Sequence, residues 1–192
     1  MKHAVHATLA LILLTFVLVT SAVSQTMGEA EQFSAGAIDM NHGRAGQVLI
    51  NVDRWSTAAD REKLVGSLMS EGSSDDLLKA VQDGKSVGRI RTPDSIGYDL
   101  KYAQQRPGKD GGRDIVLVTD RPISFWEAVN RPRSIDYPFT LIQLHIKADG
   151  TGEGKLALAT KITTDPDTKM IEIEDYAHQP ISLVDVKAEP KK

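Results

Sequence analysis

The sequence predicts an α+β fold rich in β-structure: a mostly antiparallel sheet of about eight strands, with a helical hairpin after the first strand. Short runs in which apolar and polar residues alternate cover most of the chain and indicate half-buried strands. In two successive segments between residues 57 and 84, the apolar residues recur at helical spacing instead. Tight turns in the second half favour antiparallel neighbours. Periodicity leaves open whether the sheet is curled, a barrel or a sandwich.

The first 24 residues predict a secretory signal peptide. Lys2 gives a positive start, an apolar run covers residues 7–19, and small residues follow that run. The run is too short to span a bilayer comfortably. We expect cleavage after Ser24, with cleavage after Ala22 as the alternative. The mature protein is therefore predicted to be exported, periplasmic or extracellular, with no stable insertion in the membrane.

The rest of the chain is divided into a flexible leader at 25–44, one globular domain at 45–187 and a disordered tail at 188–192. The leader shows no clean periodicity, and a short strand at 32–38 is the alternative there. The chain has no Cys, which excludes disulfides, thiol redox chemistry and Cys–zinc sites. A domain of this size can bury an adequate core without such cross-links.

The first strand is predicted at 47–55, and two short amphipathic helices follow it. A capping box at Thr57 begins the first helix and Gly72 ends it. A second cap at 73–76 begins the next helix, which stops at Gly84. A DNA-binding helix-turn-helix has the same outline, but export and net acidity argue against that function.

The remaining strands are predicted at residues 87–92, 97–103, 115–119, 139–146, 155–162, 170–176 and 181–186. The run at 115–119 is apolar on both faces, so it should be covered on both faces and lie at the centre of the fold. Ser124 and Glu127 form a capping box, which predicts one or two helical turns at 125–130.

The charge of the chain excludes one class of partner. Its net charge is −3, and removal of the signal peptide with Lys2 makes the charge more negative by one. Nucleic-acid binding depends on phosphate neutralisation, so we expect no nucleic-acid partner. The segment from residue 85 to residue 133 contains ten basic and six acidic residues, an excess of positive charge. Solvated surface charge explains this excess, and a patch for an anionic ligand is the alternative.

Candidate catalytic residues are Asp120, Glu127 and His145, which could serve a hydrolase. Each also has a simpler explanation, because Asp120 begins a turn, Glu127 completes the capping box and His145 fits a solvated strand face. The one Gly-x-Ser-x-Gly match, at residues 84–88, follows a predicted helix and precedes a predicted strand, which is the reverse of a nucleophile elbow, and the glycine-rich stretches precede no helix. The histidines of the mature chain are too far apart in sequence for a zinc pair. We expect no metal and no cofactor.

Candidate binding residues follow the central strand, where arginines and aromatic residues gather: Arg121, Trp126, Arg131, Arg133 and Tyr137. These residue types dominate binding hot spots. Ordinary core and rim packing also explains them.

Three segments, at 44–56, 115–122 and 134–139, resemble a group of exported bacterial proteins of about this size for which no activity is known. The resemblance covers most of the mature chain. It implies export and carries no ligand, cofactor or catalytic residue.

The predicted function is a non-catalytic extracytoplasmic domain that binds a small molecule or an envelope protein through the sheet and the 121–139 region. One alternative is a secreted hydrolase that uses carboxylates, which requires two candidate groups within about 5–10 Å. The other is a structural or envelope-assembly protein, which an exposed edge strand would favour.

Overall fold

A computed structural model describes residues 28–71, 74–108, 110–123, 138–164, 171–175 and 179–191. The predicted signal peptide and the predicted helical turns at 125–130 lie outside these residues.

Nine strands and two helices make up the described part of the chain. They are β1 (Glu31–Asp39), β2 (Arg44–Val52), α1 (Ala58–Glu71), α2 (Ser74–Gln82), β3 (Gly88–Arg91), β4 (Tyr98–Pro107), β5 (Arg113–Thr119), β6 (Phe139–Ile146), β7 (Thr151–Thr164), β8 (Ile171–Asp175) and β9 (Ile181–Pro190). Neither described helix is long and apolar enough to cross a membrane.

Eight of these strands close into an antiparallel barrel. Each strand from β1 to β7 pairs with the next along the chain, and β9 pairs with both β7 and β1 to complete the ring. The eighth strand of the sequence, β8, pairs instead with the far end of β7. The fold is thus a barrel, one of the three forms that periodicity left open.

The interior of the barrel is filled by side chains. Alternate residues of the eight barrel strands point inward, and the largest of them are fully buried: Phe33, Ile50, Ile90, Leu100, Ile115, Leu117, Ile142, Ile146, Leu156, Ile181 and Leu183. An eight-stranded barrel is just wide enough for its side chains to fill the interior. The described interior is therefore a core.

A second cluster lies on the outside of the barrel, where the helical hairpin covers part of the wall. Leu68, Leu77 and Val81 of the helices pack in one cluster with Val118 and Leu141 of the strands. The strand β5 is consequently covered on both faces, as its continuous apolar run predicts.

The ends of the helices are fixed by polar contacts. The Asp60 amide donates to Thr57 Oγ1 (3.1 Å) and the Thr57 amide to the Asp60 carboxylate (2.8 Å), which is a capping box. At the other end, Lys101 Nζ donates to the carbonyls of Gln82 and Gly84, at 3.3 and 3.0 Å. These bonds satisfy carbonyls at the end of α2 and attach the hairpin to β4.

The structure differs from the predicted domain limits at both ends. The strand β1 lies inside the predicted leader at 25–44, where the alternative of a short strand at 32–38 is correct, and β9 reaches Pro190, inside the predicted tail at 188–192. The helical hairpin therefore follows the second strand. Small residues such as Ala35 and Ala37 face the core from β1, so its alternation carries little hydrophobic signal.

Candidate functional site

The structure separates two of the candidate catalytic residues. His145 pairs in register with Asp114 near the start of β5, whereas Asp120 follows the last residue of that strand. Six residues of extended chain span about 20 Å, beyond the about 5–10 Å that paired catalytic groups use. Glu127, the third candidate, lies outside the described residues.

Asp120 has a structural role. Its side chain is buried, and its carboxylate accepts a hydrogen bond from Arg121 Nε at 3.0 Å, with Lys101 Nζ at 3.9 Å. The Asp120 carboxylate raises the pKa of Arg121. Most of the Arg121 side chain is exposed, so this candidate binding residue is accessible. The other candidate binding residues lie outside the described part of the chain: Trp126, Arg131, Arg133 and Tyr137.

His145 is held by two carboxylates. Its Nδ1 lies 2.8 Å from Asp114 Oδ1, and its Nε2 lies 2.8 Å from Asp110 Oδ2. A carboxylate can only accept a hydrogen bond, so the imidazolium, which carries hydrogen on both ring nitrogens, is the form of His145 that satisfies both contacts. The hydrogen bond to Asp114 and then that to Asp110 raise the pKa of His145. The imidazolium has no free ring lone pair, so in that form His145 does not act as a general base.

His145 lies in a groove on the outer face of the barrel, with a volume of about 510 Å³. We call this the outer groove. Its outward-facing lining comprises Arg106, Asp114, Val116, Gln143, His145, Glu153, Lys155, Ser182 and Val184. The volume is within the range of small-molecule sites, about 300–1,000 Å³.

Strand register arranges this lining in two rows. The first row alternates in charge across β4 to β7, because Arg106 pairs with Asp114, Asp114 with His145, and His145 with Glu153. Opposite charges in directly paired positions stabilise a sheet. The second row lies two residues along each strand and is mostly uncharged: Val116, Gln143, Lys155 and Ser182.

A bulge in β9 shapes one edge of the groove. The pairing of β9 with β1 shifts by one residue between Lys187 and Val184, and Asp185 adopts a positive φ of 50°. An extra residue of this kind bends a strand and re-aims the neighbouring side chains. In this barrel the bulge lies beside Val184, one of the residues that line the outer groove.

Sequence reasoning identified His145 but missed its neighbours in the groove. The only signal for Lys155 and Ser182 is that they occupy outward positions of predicted strands, and Glu153 lies just before the strand predicted at 155–162. Their meeting depends on registers between segments that local alternation does not define.

Among the described residues no group of three His, Cys, Asp or Glu side chains is placed to hold a metal ion. Comparison with protein-family models, curated proteins and solved structures found no match to this chain.

Proposed function

We propose that this protein is an exported, non-catalytic binding domain whose ligand occupies the outer groove. The observation that carries the proposal is the groove itself, about 510 Å³ in volume, with His145 in it engaged at both ring nitrogens. The imidazolium form of His145 supplies positive charge to the groove, and its two carboxylate contacts fix the orientation of the ring. Export is inferred from the predicted signal peptide.

The packing of the barrel supports an outer rather than an inner site. Large side chains such as Phe33, Ile142 and Leu156 are fully buried and fill the described interior. A ligand placed there would have to displace core side chains. This displacement would lower the free energy of unfolding of the protein, and that loss would oppose ligand binding.

The decisive experiment fills the groove with a side chain. Ser182 is exposed on β9 and lines the groove, so Ser182→Trp should block it without disturbing the core. The matched control is Glu189→Trp, an exposed position on the same strand that does not line the groove. Native mass spectrometry would compare the three proteins, each purified from the natural host.

We expect a non-covalent small-molecule adduct on the wild-type protein and on Glu189→Trp, and its loss from Ser182→Trp. An empty wild-type protein, or an adduct that survives Ser182→Trp unchanged, would contradict the proposal. A covalently altered ligand released with turnover would contradict its non-catalytic part.

Assembly through β8 is a second candidate function. Among the described strands β8 pairs only with β7, and the side chain of Ile173 is 52% exposed. A free strand edge can pair with a strand from another chain. Sedimentation over a concentration series tests this: an oligomer that Ile173→Lys dissociates would support assembly, and a monomer at all concentrations would exclude self-assembly.

A further inference from the structure

Two opposite charges in the outer groove lack polar partners among the described residues. The other charges of the first row interact with one another, since Asp114 lies 2.8 Å from His145 and 3.5 Å from Arg106. In the described part of the chain, the side chains of Glu153 and Lys155 have neither a hydrogen bond nor an ion pair. Both belong to β7 and line the groove. They are the charges that remain available to a ligand.

Neutral hydrogen-bonding groups flank one of these charges. Lys155 pairs in register with Gln143 on one side and with Ser182 on the other, and both neighbours line the groove. An ammonium between an amide and a hydroxyl can bind a carboxylate, which all three groups can reach as donors. The Glu153 carboxylate, two residues away, can bind an ammonium.

The spacing of the two charges selects the length of the ligand. Residues i and i+2 of a strand lie about 7 Å apart on the same face. In an extended dipeptide the ammonium nitrogen and the carboxylate carbon are about 6 Å apart, from standard backbone dimensions, which is close to that spacing. The same groups of a free amino acid are only about 2.5 Å apart, and each further residue adds about 3.5 Å.

We infer that the outer groove binds a short zwitterionic peptide of about two residues, with its ammonium on Glu153 and its carboxylate on Lys155. This inference rests on the proposed function and specifies the class of ligand. The groove is large enough to hold the side chains of such a peptide as well as its two ends.

The test uses alanyl-alanine as the probe, together with its N-acetylated and C-amidated derivatives, each of which lacks one charge. Binding would be measured at millimolar concentration from the backbone amide shifts of residues 153–155 and 182–184. The variants are Glu153→Gln and Lys155→Gln. The control is Lys187→Gln, an exposed lysine on β9 that does not line the groove.

The wild-type protein should bind alanyl-alanine about twofold to fivefold more tightly than either derivative, the range expected for one exposed charge pair. Glu153→Gln should abolish the preference over the acetylated peptide, and Lys155→Gln the preference over the amide. Lys187→Gln should change nothing. Equal binding of all three peptides, or no binding of any, would overturn the inference. The proposed function would still stand if Ser182→Trp removed the host-derived adduct.

Discussion

At the scale of single residues, the chemistry of the groove depends on the charge of His145. Its two hydrogen bonds link the loop after β4 to β5 and β6, through Asp110 and Asp114. The sequence alone places His145 on a solvated strand face, and that is correct. Its two partners could not be predicted, because a turn and a strand register bring them to the ring.

The pH dependence of this cluster follows from the directions of the pKa shifts. Because the folded-state pKa of His145 is raised above 6.5, its stabilising effect is complete below about pH 6.5 and is lost as pH rises through the folded value. Hydrogen bonds to His145 lower the pKa values of Asp110 and Asp114, so their effect is lost as pH falls through their folded values.

We predict that His145 titrates above pH 6.5 in the folded protein and that Asp114→Asn lowers this pKa. Titration of the imidazole proton signals by NMR measures it directly. Asp53→Asn, which removes a carboxylate that pairs with Lys191, serves as the control and should leave the value unchanged. A pKa of 6.5 or below in the wild-type protein would contradict the assigned imidazolium.

At the scale of elements, one ion pair joins strands on opposite sides of the barrel. In a ring of eight strands β1 and β5 face each other, and the Arg113 guanidinium donates to both Glu31 carboxylate oxygens at 2.7 Å. The same guanidinium also donates to Gln105 at 2.8 Å and lies 6.0 Å from the Phe33 ring centroid. This bidentate pair lies across one mouth of the barrel above its apolar core.

We predict that Arg113→Met lowers the free energy of unfolding by about 1–3 kcal/mol, since it leaves a mostly buried Glu31 without its partner. Urea unfolding of the wild-type protein, Arg113→Met, Glu31→Gln and the double variant would give the coupling free energy between the two side chains. The exposed Arg89–Asp99 pair provides the control, and Arg89→Met should cost less than about 1 kcal/mol. Equal costs at the two arginines would argue against a special role for the cross-barrel pair.

The elements that the sequence predicts well are those with strong local patterns. β5 and β6 each carry an apolar run, and their predicted and observed bounds agree within about two residues. The capping box at Thr57 likewise fixes the start of α1. β1 has alanines on its inner face and gains stability from long-range partners, so its local signal is weak.

At the scale of the whole molecule, closure of the barrel depends on the pairing of its first strand, β1, with its last strand, β9. β1 pairs with β9 so that Phe33 lies opposite Ala188. No local periodicity encodes a contact between segments so distant in sequence, which is why the sequence could not distinguish a barrel from a sandwich or a curled sheet. The outer groove has the same origin, because four strand registers and one bulge assemble it.

Closure also separates two surfaces of one strand. Ser182 points outward into the groove, whereas the preceding residue, Ile181, is buried in the barrel interior and does not line the groove. Ile181→Ala should open a cavity in the core and cost about 2–5 kcal/mol, and circular dichroism would show whether the variant remains folded. Ligand binding at an outer site should therefore be lost on substitution of the outward residue, and ligand binding at an inner site on substitution of the adjacent inward residue.

The most direct test of the outer groove is native mass spectrometry of Ser182→Trp and Ile181→Ala, each purified from the natural host beside the wild-type protein. We predict that Ser182→Trp loses the small-molecule adduct and that Ile181→Ala, whose side chain lies in the barrel interior, keeps it. An adduct retained by Ser182→Trp and lost from Ile181→Ala would place the ligand inside the barrel and contradict an outer site.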